Sequence, residues 1–470
     1  MRTPAPVTRP VALTVAGSDS GGGAGVQADL QTFAANDVHG TSAVTAATAQ
    51  HTRGVESTHV LPTDEVAAQL DAVIDDFAVG AAKTGMLATA DVVETAHDRL
   101  AALSAPVVVD PVMVATSGDR LLDRAAERAY DDLLADATVA TPNVDEAEVL
   151  AGRDVDTLAD ARDAALAVRD TGVDAVLVTG GHLHDSDGRS EDSGGRSDGT
   201  DTVTDVLVTD GDVHTFEHPR VAAAATHGSG CTLSAAITAH LARHATDDVP
   251  ESALVDAVDA ATDHMERAVR YHHDVGQGPG CVQHLVDART SRDVSTVARD
   301  VSRVVATLEN ATAPVAALLP EVGTNVVGAP PHADRVADTV AVDGRLATTH
   351  SGVRATGGVR PGASSHVARY LLAAREHHPE LRYAVNVRYD DRVADALDAL
   401  DWPVTAYDRG DEPDDAPGTM DWGADQAYRG DDRPVAVVDR GAHGKEPMTK
   451  LATETPDALL DRLTTLADSL

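Results

Sequence analysis

Short apolar runs alternate with longer segments of helical periodicity through the first 285 residues of the chain. Runs of four to six residues, mostly Val, Ala, Leu and Thr, have the length and composition of buried strands. These runs lie at residues 11–16, 106–109, 138–141 and 175–179. The helical segments include residues 26–35, 66–77 and 125–134. This alternation predicts βαβ units, and therefore an α/β domain with a central, mostly parallel sheet flanked by helices.

The pattern breaks at residues 286–293 (VDARTSRD), which we interpret as the boundary between two domains. The first domain is predicted to cover residues 1–288, and a second, smaller α/β domain to cover residues 294–470. A helix over about residues 294–308 is expected to open the second domain. Strand-like runs follow at residues 340–342, 383–389 and 435–438.

The chain is strongly acidic, with 76 acidic and 37 basic residues and a formal net charge of -39. The acidic residues are spread along the whole chain, and only three residues are lysine. This composition resembles that of haloarchaeal proteins, in which salt screens the repulsion between like charges. It argues against nucleic acid as a partner, because phosphate backbones require a basic surface. Residues 184–203, rich in Gly, Ser and Asp, are predicted to form a flexible surface loop.

Two cysteines, Cys231 and Cys281, lie far apart in different motifs. They support neither a disulfide framework nor a cysteine zinc site, and we expect a cytoplasmic protein. The first ten residues contain no long apolar run, so no signal peptide is expected. No segment approaches the roughly 20 apolar residues that span a bilayer, so no membrane association is predicted.

Two glycine-rich segments are candidates for ligand binding. Residues 17–25 read GSDSGGGAG after a predicted strand; the alternative is an ordinary strand-to-helix turn. Residues 226–231 read THGSGC, and Gly228, Ser229 and Gly230 stand directly before a helical segment. The free amides of such a helix start bind anions and suit a transferred phosphoryl group.

Cys231 lies at the same predicted helix start, where thiol pKa values fall. We therefore interpret Cys231 as the residue that takes the proton of a substrate hydroxyl, in preference to a small buried apolar residue. The run TPNVDEAE places Asn143 and Glu146 one helical turn apart after a strand. Their oxygens are suited to water-mediated Mg²⁺ binding. The alternative is ordinary helix capping by Asn143.

Together these segments resemble the ribokinase superfamily, and more closely the hydroxymethylpyrimidine/phosphomethylpyrimidine kinases. The matching runs, in order through residues 8–285, include ALTVAGSDSGGGAGVQADLQTF, AVTAATAQHTRGV, KTGML, VVVDPVMVATSG, TPNVDEAEVLAG and THGSGCTLSAAI. The resemblance implies a pyrimidine pocket made by Gly17, Ala24, Asp29, Gln50, Met86 and Val112.

Within that pocket, the Gln50 amide both donates and accepts hydrogen bonds and suits an aminopyrimidine edge. Asp29 is expected beside the hydroxymethyl group of the substrate. The resemblance also implies that Cys231 is catalytic and that Asp110 is a carboxylate on the magnesium or phosphate side. ATP and Mg²⁺ are the expected cofactors, and a homodimer is expected by resemblance alone. The chain departs from the family at Thr179, where the family commonly has lysine.

Basic residues cluster at a few places in the second domain. Arg345 follows a predicted strand, and residues 357–370 (GGVRPGASSHVARY) place His366 and Arg369 at a helix start, where phosphate binds. Arg388 lies on the strand of residues 382–390, in which Ala384, Asn386 and Arg388 share one face and Val385 and Val387 the other. Residues 442–450 (AHGKEPMTK) hold Lys445 in a glycine-containing loop. Surface ion pairs and an ordinary helix-start histidine are the alternatives.

These runs, with DGR, RYAVNVRYD, DRGDEP and GAHGKEPM, resemble the ThiN family of archaeal thiamine-phosphate synthases over residues 295–465. The resemblance implies that Arg345 and His366 serve the joining of hydroxymethylpyrimidine diphosphate to hydroxyethylthiazole phosphate. Arg345 is expected to stabilise the departing diphosphate, with Arg369, Arg388 and Lys445 as weaker candidates. His366 is expected to donate a proton to the diphosphate or to bind its oxygens.

Two alternative functions stay open at this point. The second domain can be a thiamine-phosphate sensor without catalytic activity, or the whole chain a pyridoxal kinase with a non-catalytic appendage. The fusion of the two domains favours consecutive steps, because the kinase product is the substrate of the synthase.

Overall fold

The computed structural model describes residues 3–113, 124–180, 202–223, 225–244, 248–310, 313–350, 352–413, 416–430, 432–442 and 444–470. The chain divides into two compact units, Met1–Asp287 and Ala288–Leu470. No helix in the described part of the chain is long and apolar enough to cross a membrane. Of the predicted loop at 184–203, residues 184–201 lie outside the described residues, and the last two belong to a strand.

The first unit alternates strands and helices in its first 180 residues. Its strands are β1 (Val11–Asp19), β2 (His39–His51), β3 (Gly54–Val60), β4 (Val79–Thr84), β5 (Val107–Val109), β6 (Val139–Ala140), β7 (Ala175–Val178), β8 (Thr202–Val208) and β9 (Val213–Pro219). Its helices are α1 (Gly25–Ala35), α2 (Thr63–Asp76), α3 (Ala90–Leu100), α4 (Arg124–Ala135), α5 (Val144–Ala151), α6 (Leu158–Arg169), α7 (Ser229–Leu241) and α8 (Glu251–Arg270).

Within the described residues of this unit, the strands form one sheet of nine in the order β3-β2-β1-β4-β5-β6-β7-β8-β9. Pairing is parallel from β2 to β7, and β3, β8 and β9 add antiparallel edges. In β5, Val107 and Val109 pack into one core and Val108 packs into another, so both faces of the sheet are covered. The structure thus confirms the predicted parallel sheet flanked by helices.

The prediction did not include the antiparallel edge strands β3, β8 and β9, nor β2, which pairs in parallel with β1. The β2 sequence HGTSAVTAATAQH is rich in Ala and Thr, and only part of it is buried. Its pattern therefore lacks both the continuous apolar run of a buried strand and the strict alternation of a half-buried one.

The second unit has shorter elements. Its helices are α9 (Val286–Glu309), which begins just before the division between the units, α10 (Ala313–Ala317), α11 (His366–His377), α12 (Asp391–Ala399), α13 (Thr419–Tyr428) and α14 (Pro456–Asp468). Its strands are β10 (Val326–Gly328), β11 (Val340–Val342), β12 (Leu346–Thr349), β13 (Gly352–Ala355), β14 (Val359–Pro361), β15 (Tyr383–Arg388), β16 (Val404–Tyr407), β17 (Ala436–Asp439) and β18 (Met448–Thr453).

In the described part of this unit, seven strands form a mixed sheet in the order β14-β11-β10-β15-β18-β17-β16, and β12 and β13 form a separate hairpin. Only β16 and β17 pair in parallel among these described strands. The faces of β15 are as predicted, because Ala384 packs into one core while Val385 and Val387 pack into the other.

The two units divide inside the predicted boundary at residues 286–293, but this segment is not a break in secondary structure, because α9 begins at Val286. Buried side chains recur at helical intervals through this segment and form one continuous stripe, which includes Val286, Thr290, Val297 and Val301. The polar residues that suggested a break cover the exposed face of this helix.

Candidate active sites

A cavity of about 240 Å³ lies in the first unit at the carboxyl ends of its parallel strands. Asp19 ends β1, and residues lining the cavity directly follow β4, β5, β6 and β7. Ligands of open α/β sheets bind at this edge. Nearly all candidate residues of this unit line the cavity: Gly17, Ala24, Gln50, Met86, Asp110, Val112, Asn143, Glu146, Thr179, Gly228, Ser229, Gly230 and Cys231.

Asp29 is the exception, and its expected contact with the substrate needs correction. Its side chain is completely buried and does not line the cavity. One carboxylate oxygen accepts a hydrogen bond from Lys83 Nζ at 2.8 Å, and the other accepts one from the Thr14 hydroxyl at 2.6 Å. Lys83 is equally buried. Asp29 therefore neutralises a buried lysine beneath the site.

Asp19 organises the glycine-rich loop, and the sequence analysis missed it. Its carboxylate accepts backbone N–H bonds from Gly21, Gly23 and Ala24 at 2.7–3.0 Å and lies 3.1 Å from His227 Nε2. Burial raises the pKa of Asp19, but these hydrogen bonds outweigh it and leave the pKa below its ordinary value. An aspartate just before a glycine cluster is a known turn former, and this signal was present in the sequence.

His227 is a second residue that the sequence analysis missed. Its Nε2 lies 3.1 Å from Asp19 and 3.2 Å from the Gln50 amide nitrogen. One ring nitrogen can donate to the carboxylate or accept from the amide, so it bonds one of these two groups at a time. The Thr48 hydroxyl lies 3.1 Å from the Gln50 side-chain oxygen and 2.6 Å from the Ser18 carbonyl, so the Gln50 amide has polar neighbours at both ends.

The start of α7 forms an open anion-binding cradle. Gly228 precedes the helix with a φ of +86°, and no side chain caps the helix start. A Cβ at Gly228 would lie 1.9 Å from the Gly23 carbonyl oxygen, so only glycine allows the two loops to approach so closely. The uncapped amides and the helix dipole favour negative charge at this point.

The thiol of Cys231 does not have the lowered pKa that its helix position suggested. Burial, reinforced by the carboxylates of Asp29 and Asp110, raises the pKa of Cys231 to about 12, although Lys83 opposes this shift. Desolvation of the thiolate thus exceeds the effect of the helix start. In this state of the molecule, Cys231 is protonated at neutral pH.

Asn143 and Glu146 form a capping box at the start of α5, which was the alternative interpretation of this pair. The Asn143 side chain accepts the Glu146 N–H at 2.9 Å, and Glu146 accepts the N–H groups of Asn143 at 3.0 Å and Met113 at 3.3 Å. Burial, reinforced by Asp110, raises the pKa of Glu146 to about 8, and burial also raises the pKa of Asp110.

Asp110 and Glu146 are chemically suited to bind Mg²⁺. Their carboxylate oxygens are hard ligands, and they line the same cavity as the anion-binding start of α7. Asp110 accepts a hydrogen bond from Ser234 at 3.2 Å through one oxygen only. Within the described residues, no group of three or more His, Cys, Asp or Glu side chains is arranged to hold a metal ion. Mg²⁺ bound here would therefore rely on few protein ligands.

Candidate residues of the second unit are mostly exposed. Arg345 lies in the turn after β11, where its guanidinium donates to the Val322 carbonyl and its N–H donates to the Thr356 hydroxyl at 2.8 Å. His366 begins α11, and its ring nitrogen lies 3.4 Å from the Ser365 hydroxyl. Among the described residues, no hydrogen bond or ion pair joins Arg345 to His366.

The weaker candidates are similarly placed. Arg369 and Lys445 are exposed, and Arg388 forms an ion pair of 3.7 Å with Asp390. The predicted loop at residues 442–450 is only partly a loop, because Met448–Thr453 is β18; His443 lies outside the described residues. Lys450 is therefore a buried strand residue, which the sequence analysis did not foresee.

Two family models match the chain. One, described as phosphomethylpyrimidine kinase, matches residues 19–283. The other, described as thiamine-phosphate synthase ThiN, matches residues 300–465.

Curated relatives resemble mainly the first unit. A hydroxymethylpyrimidine/phosphomethylpyrimidine kinase of Streptomyces coelicolor is 44% identical over 280 residues, which cover 59% of this chain and 96% of that protein. The thiamine biosynthesis bifunctional protein ThiED of Geobacter sulfurreducens is 39% identical over 62% of this chain and 55% of its own length.

Solved structures of pyridoxal kinases are also similar. The ADP complex of the Bacillus subtilis enzyme is 33% identical with a TM-score of 0.51, over 59% of this chain and 98% of that one. The Staphylococcus aureus enzyme with AMP-PCP is 30% identical with a TM-score of 0.50, over 59% of this chain and 94% of that one.

Proposed function

Because this chain belongs to the phosphomethylpyrimidine kinase family and carries a ThiN thiamine-phosphate synthase domain, we propose that it catalyses consecutive steps of thiamine biosynthesis. The first unit transfers phosphoryl groups from ATP to hydroxymethylpyrimidine and then to its monophosphate. The second unit joins the resulting diphosphate to hydroxyethylthiazole phosphate. The products are thiamine monophosphate and diphosphate.

One observation carries the kinase assignment: the glycine loop, the uncapped start of α7 and two buried carboxylates surround one cavity at the carboxyl edge of the sheet. The first unit has the fold of the ribokinase-like kinases. Gln50 and Met86 are proposed to hold the pyrimidine, and the amides of Gly228 and Gly230 to stabilise the transferred phosphoryl group. ATP use agrees with the nucleotide complexes of the similar kinases.

Asp110 and Glu146 are the residues proposed to hold Mg²⁺, which would supply positive charge beside the phosphates. Asn143 and Thr179 are proposed to lie on the ATP side of the cavity. Thr179 lacks the positive charge of the lysine that is common in the family. The phosphate contact expected there is therefore a weaker, neutral hydrogen bond.

The proton of the substrate hydroxyl must leave as its oxygen forms a bond to phosphorus and the bond to ADP breaks. Cys231 is the proposed acceptor, which requires its thiol to ionise first. Because burial raises the pKa of the Cys231 thiol to about 12, this ionisation depends on positive charge near the sulfur. The described cation that lowers the pKa of this thiol is Lys83, held in place by Asp29.

For the synthase step, Arg345 remains the proposed stabiliser of the departing diphosphate and His366 its proton donor, with Arg369, Arg388 and Lys445 in supporting roles. In this step the bond from the pyrimidine methylene carbon to diphosphate oxygen breaks. A bond from the same carbon to the thiazole nitrogen forms. A homodimer in the cytoplasm is also proposed, by resemblance.

The test uses the full-length protein in buffer with high potassium chloride. It is supplied with hydroxymethylpyrimidine, Mg-ATP and hydroxyethylthiazole phosphate, and thiamine monophosphate is sought by mass spectrometry. We expect thiamine monophosphate from the wild type. A Cys231→Ala variant should form it only when hydroxymethylpyrimidine diphosphate is added.

Two outcomes would favour the alternatives. Accumulation of the pyrimidine diphosphate without thiamine monophosphate would make the second unit a sensor. Phosphorylation of pyridoxal in strong preference to hydroxymethylpyrimidine would make the chain a pyridoxal kinase.

A further inference from the structure

Cations gather at one edge of the mixed sheet in the second unit. Strands β11, β15, β16 and β17 run in the same direction. Strand β10 is antiparallel to both β11 and β15, and β18 is antiparallel to both β15 and β17. Strand β16 is parallel to β17. Their carboxyl ends therefore lie at one edge of the sheet. The basic residues that end or follow these strands are Arg345, Arg388, Arg409, Arg440 and Lys445. We call this set the cationic edge.

Acidic residues such as Asp343, Asp390 and Asp408 also follow these strands, so net charge alone does not identify an anion site here. In a chain with 76 acidic and 37 basic residues, the position of five basic residues near the carboxyl ends of four strands of one sheet is the relevant observation. Carboxyl ends of strands are also where α/β sheets bind ligands. The side chains of the cationic edge differ in how firmly other residues hold them, and this difference singles out Arg409.

Arg409 is fixed by a buried carboxylate. Asp439 ends β17 and is completely buried, and its two oxygens accept Arg409 Nε at 2.9 Å and Nη2 at 2.7 Å. Asp439 also accepts the Tyr407 hydroxyl at 2.9 Å, Lys450 Nζ at 3.0 Å and the Gly441 N–H at 3.1 Å. Despite burial, Arg409 and Lys450 hold the pKa of Asp439 well below its ordinary value. The carboxylate is saturated and stays ionised.

Lys450 adds a second cation behind the pair. Its Nζ lies 4.8 Å from the centre of the Tyr407 ring and 5.2 Å from that of Tyr370, and it also donates to the Tyr407 hydroxyl. The cluster therefore holds two cations on one carboxylate. The nearby Glu412 accepts a hydrogen bond from Thr419 at 2.7 Å and does not bond directly to either cation among the described contacts.

We infer that the Arg409 guanidinium binds the diphosphate of the pyrimidine substrate in the synthase step, and that Asp439, Tyr407 and Lys450 are positioning residues for it. Arg409 bonds to Asp439 through Nε and Nη2, so its Nη1 takes no part in this ion pair. The Arg409 side chain is 15% exposed. A guanidinium held by two parallel bonds loses little further rotamer entropy when it binds phosphate. The inference rests on the proposed synthase function.

Lys450 gives this arrangement a distinctive pH dependence. Burial and the positive charge of Arg409 lower the pKa of Lys450 to about 8, although Asp439 acts in the opposite direction. The groups that face it are Asp439 from β17, Tyr407 from β16, Tyr370 from α11 and the Arg409 guanidinium. Both tyrosines have raised pKa values and stay neutral in this range. As pH rises through about 8, the cluster loses one positive charge, and affinity for diphosphate should fall.

The experiment measures thiamine monophosphate formation by the full-length protein at varied hydroxymethylpyrimidine diphosphate, and inhibition by inorganic diphosphate. Arg409→Lys should raise KM and the inhibition constant by about tenfold or more, because lysine cannot keep the two parallel bonds to Asp439 and also donate to diphosphate. Lys450→Met should keep activity at pH 7 within about tenfold but lose the fall in affinity near pH 8. Arg429→Lys is the matched control, because its partner is also an aspartate but its side chain is 64% exposed.

Unchanged KM and diphosphate inhibition in Arg409→Lys would overturn the inference, and so would a Lys450→Met variant that keeps the wild-type pH profile. Kinase activity and thermal melting of each variant show whether it folds. If the wild type forms no thiamine monophosphate, the proposed synthase function fails. Calorimetric titration of wild type and Arg409→Lys with inorganic diphosphate then decides the inference independently.

Discussion

The two units differ in how their sheets distribute functional side chains. In the first unit, parallel strands deliver their carboxyl ends to one edge, and nearly all predicted residues line a single cavity there. In the second unit, the sheet is mixed, and the predicted residues Arg345 and His366 are exposed, with separate neighbours. In a parallel sheet, residues that follow successive strands all lie at the same edge. In a mixed sheet, the edge at which a residue lies depends on the direction of its strand, so the strand order must be known first.

The units also differ in the charge that they bury. The first unit surrounds Lys83 with Asp29 and Asp110, so negative groups outnumber the cation. The second unit surrounds Asp439 with Arg409 and Lys450, so cations outnumber the carboxylate. The first arrangement suits a metal-bound nucleotide, and the second suits a free diphosphate that leaves.

The largest expected effect tests whether the first unit alone carries the kinase. Cys231→Ala should lower kcat for hydroxymethylpyrimidine phosphorylation by about 10²–10⁴-fold, because a proton acceptor is lost. Synthase activity with added pyrimidine diphosphate should not change. Cys281→Ala is the control, since Cys281 does not line the cavity, and it should change kcat by less than about threefold. Equal losses in both variants would contradict the role of Cys231.

The close approach of the two glycine loops predicts a structural effect confined to the first unit. Gly228→Ala forces a Cβ into the Gly23 carbonyl and should lower stability by about 3 kcal/mol or more, with loss of kinase activity. Gly152→Ala is the control, because Gly152 also has a positive φ but nothing lies within 4 Å of its added Cβ; about 1 kcal/mol is expected. Thermal melting followed with both activities measures the difference. A similar loss in both variants would argue against a special contact between the loops.

In the second unit, Arg345→Ala should reduce the synthase rate by about 100-fold and leave the kinase rate unchanged. The exposed Arg392, whose guanidinium donates to the Leu470 carbonyl, provides a control as Arg392→Ala. Steady-state assays of both reactions on each variant would sharpen the comparison. A full synthase rate in Arg345→Ala would remove it from the site.

The smallest effect concerns stability in acid. Burial lowers the pKa of His284 to about 4, and its Nδ1 is bonded to Thr232 at 2.8 Å in the first turn of α7. The unfolded chain binds this proton near the ordinary pKa of about 6.5, so stability should fall as pH decreases from 6.5 to 4. The contribution is about 3 kcal/mol at most. Urea unfolding at pH 7.5 and 5 would measure it.

A His284→Gln variant should show a smaller loss between these pH values than the wild type. His244→Gln is the control, because His244 is exposed. An equal pH dependence in wild type and His284→Gln would contradict this assignment.

The adaptation to high salt stays a prediction that the same unfolding experiments can address at several potassium chloride concentrations.

The sequence by itself determined the α/β class, the kinase resemblance and most residues around the cavity. It could do so because buried parallel strands have short apolar patterns, and because the residues of each glycine motif are adjacent in the chain. It also marked Arg345 and His366, although nothing in their local pattern indicates how they lie in space.

Only the tertiary structure decided the residues whose role depends on distant partners. Asp19 folds the glycine loop through local backbone bonds, but its contact with His227, which lies 208 positions away, depends on the tertiary structure. Asp29 is held in the core by Lys83, and Arg409 is fixed by Asp439, a carboxylate that Lys450 also contacts from a third strand. The pKa of Cys231 likewise depends on burial, which overrides the helix start. Desolvation and long-range ion pairs depend on what surrounds a side chain, and local sequence patterns do not contain that information.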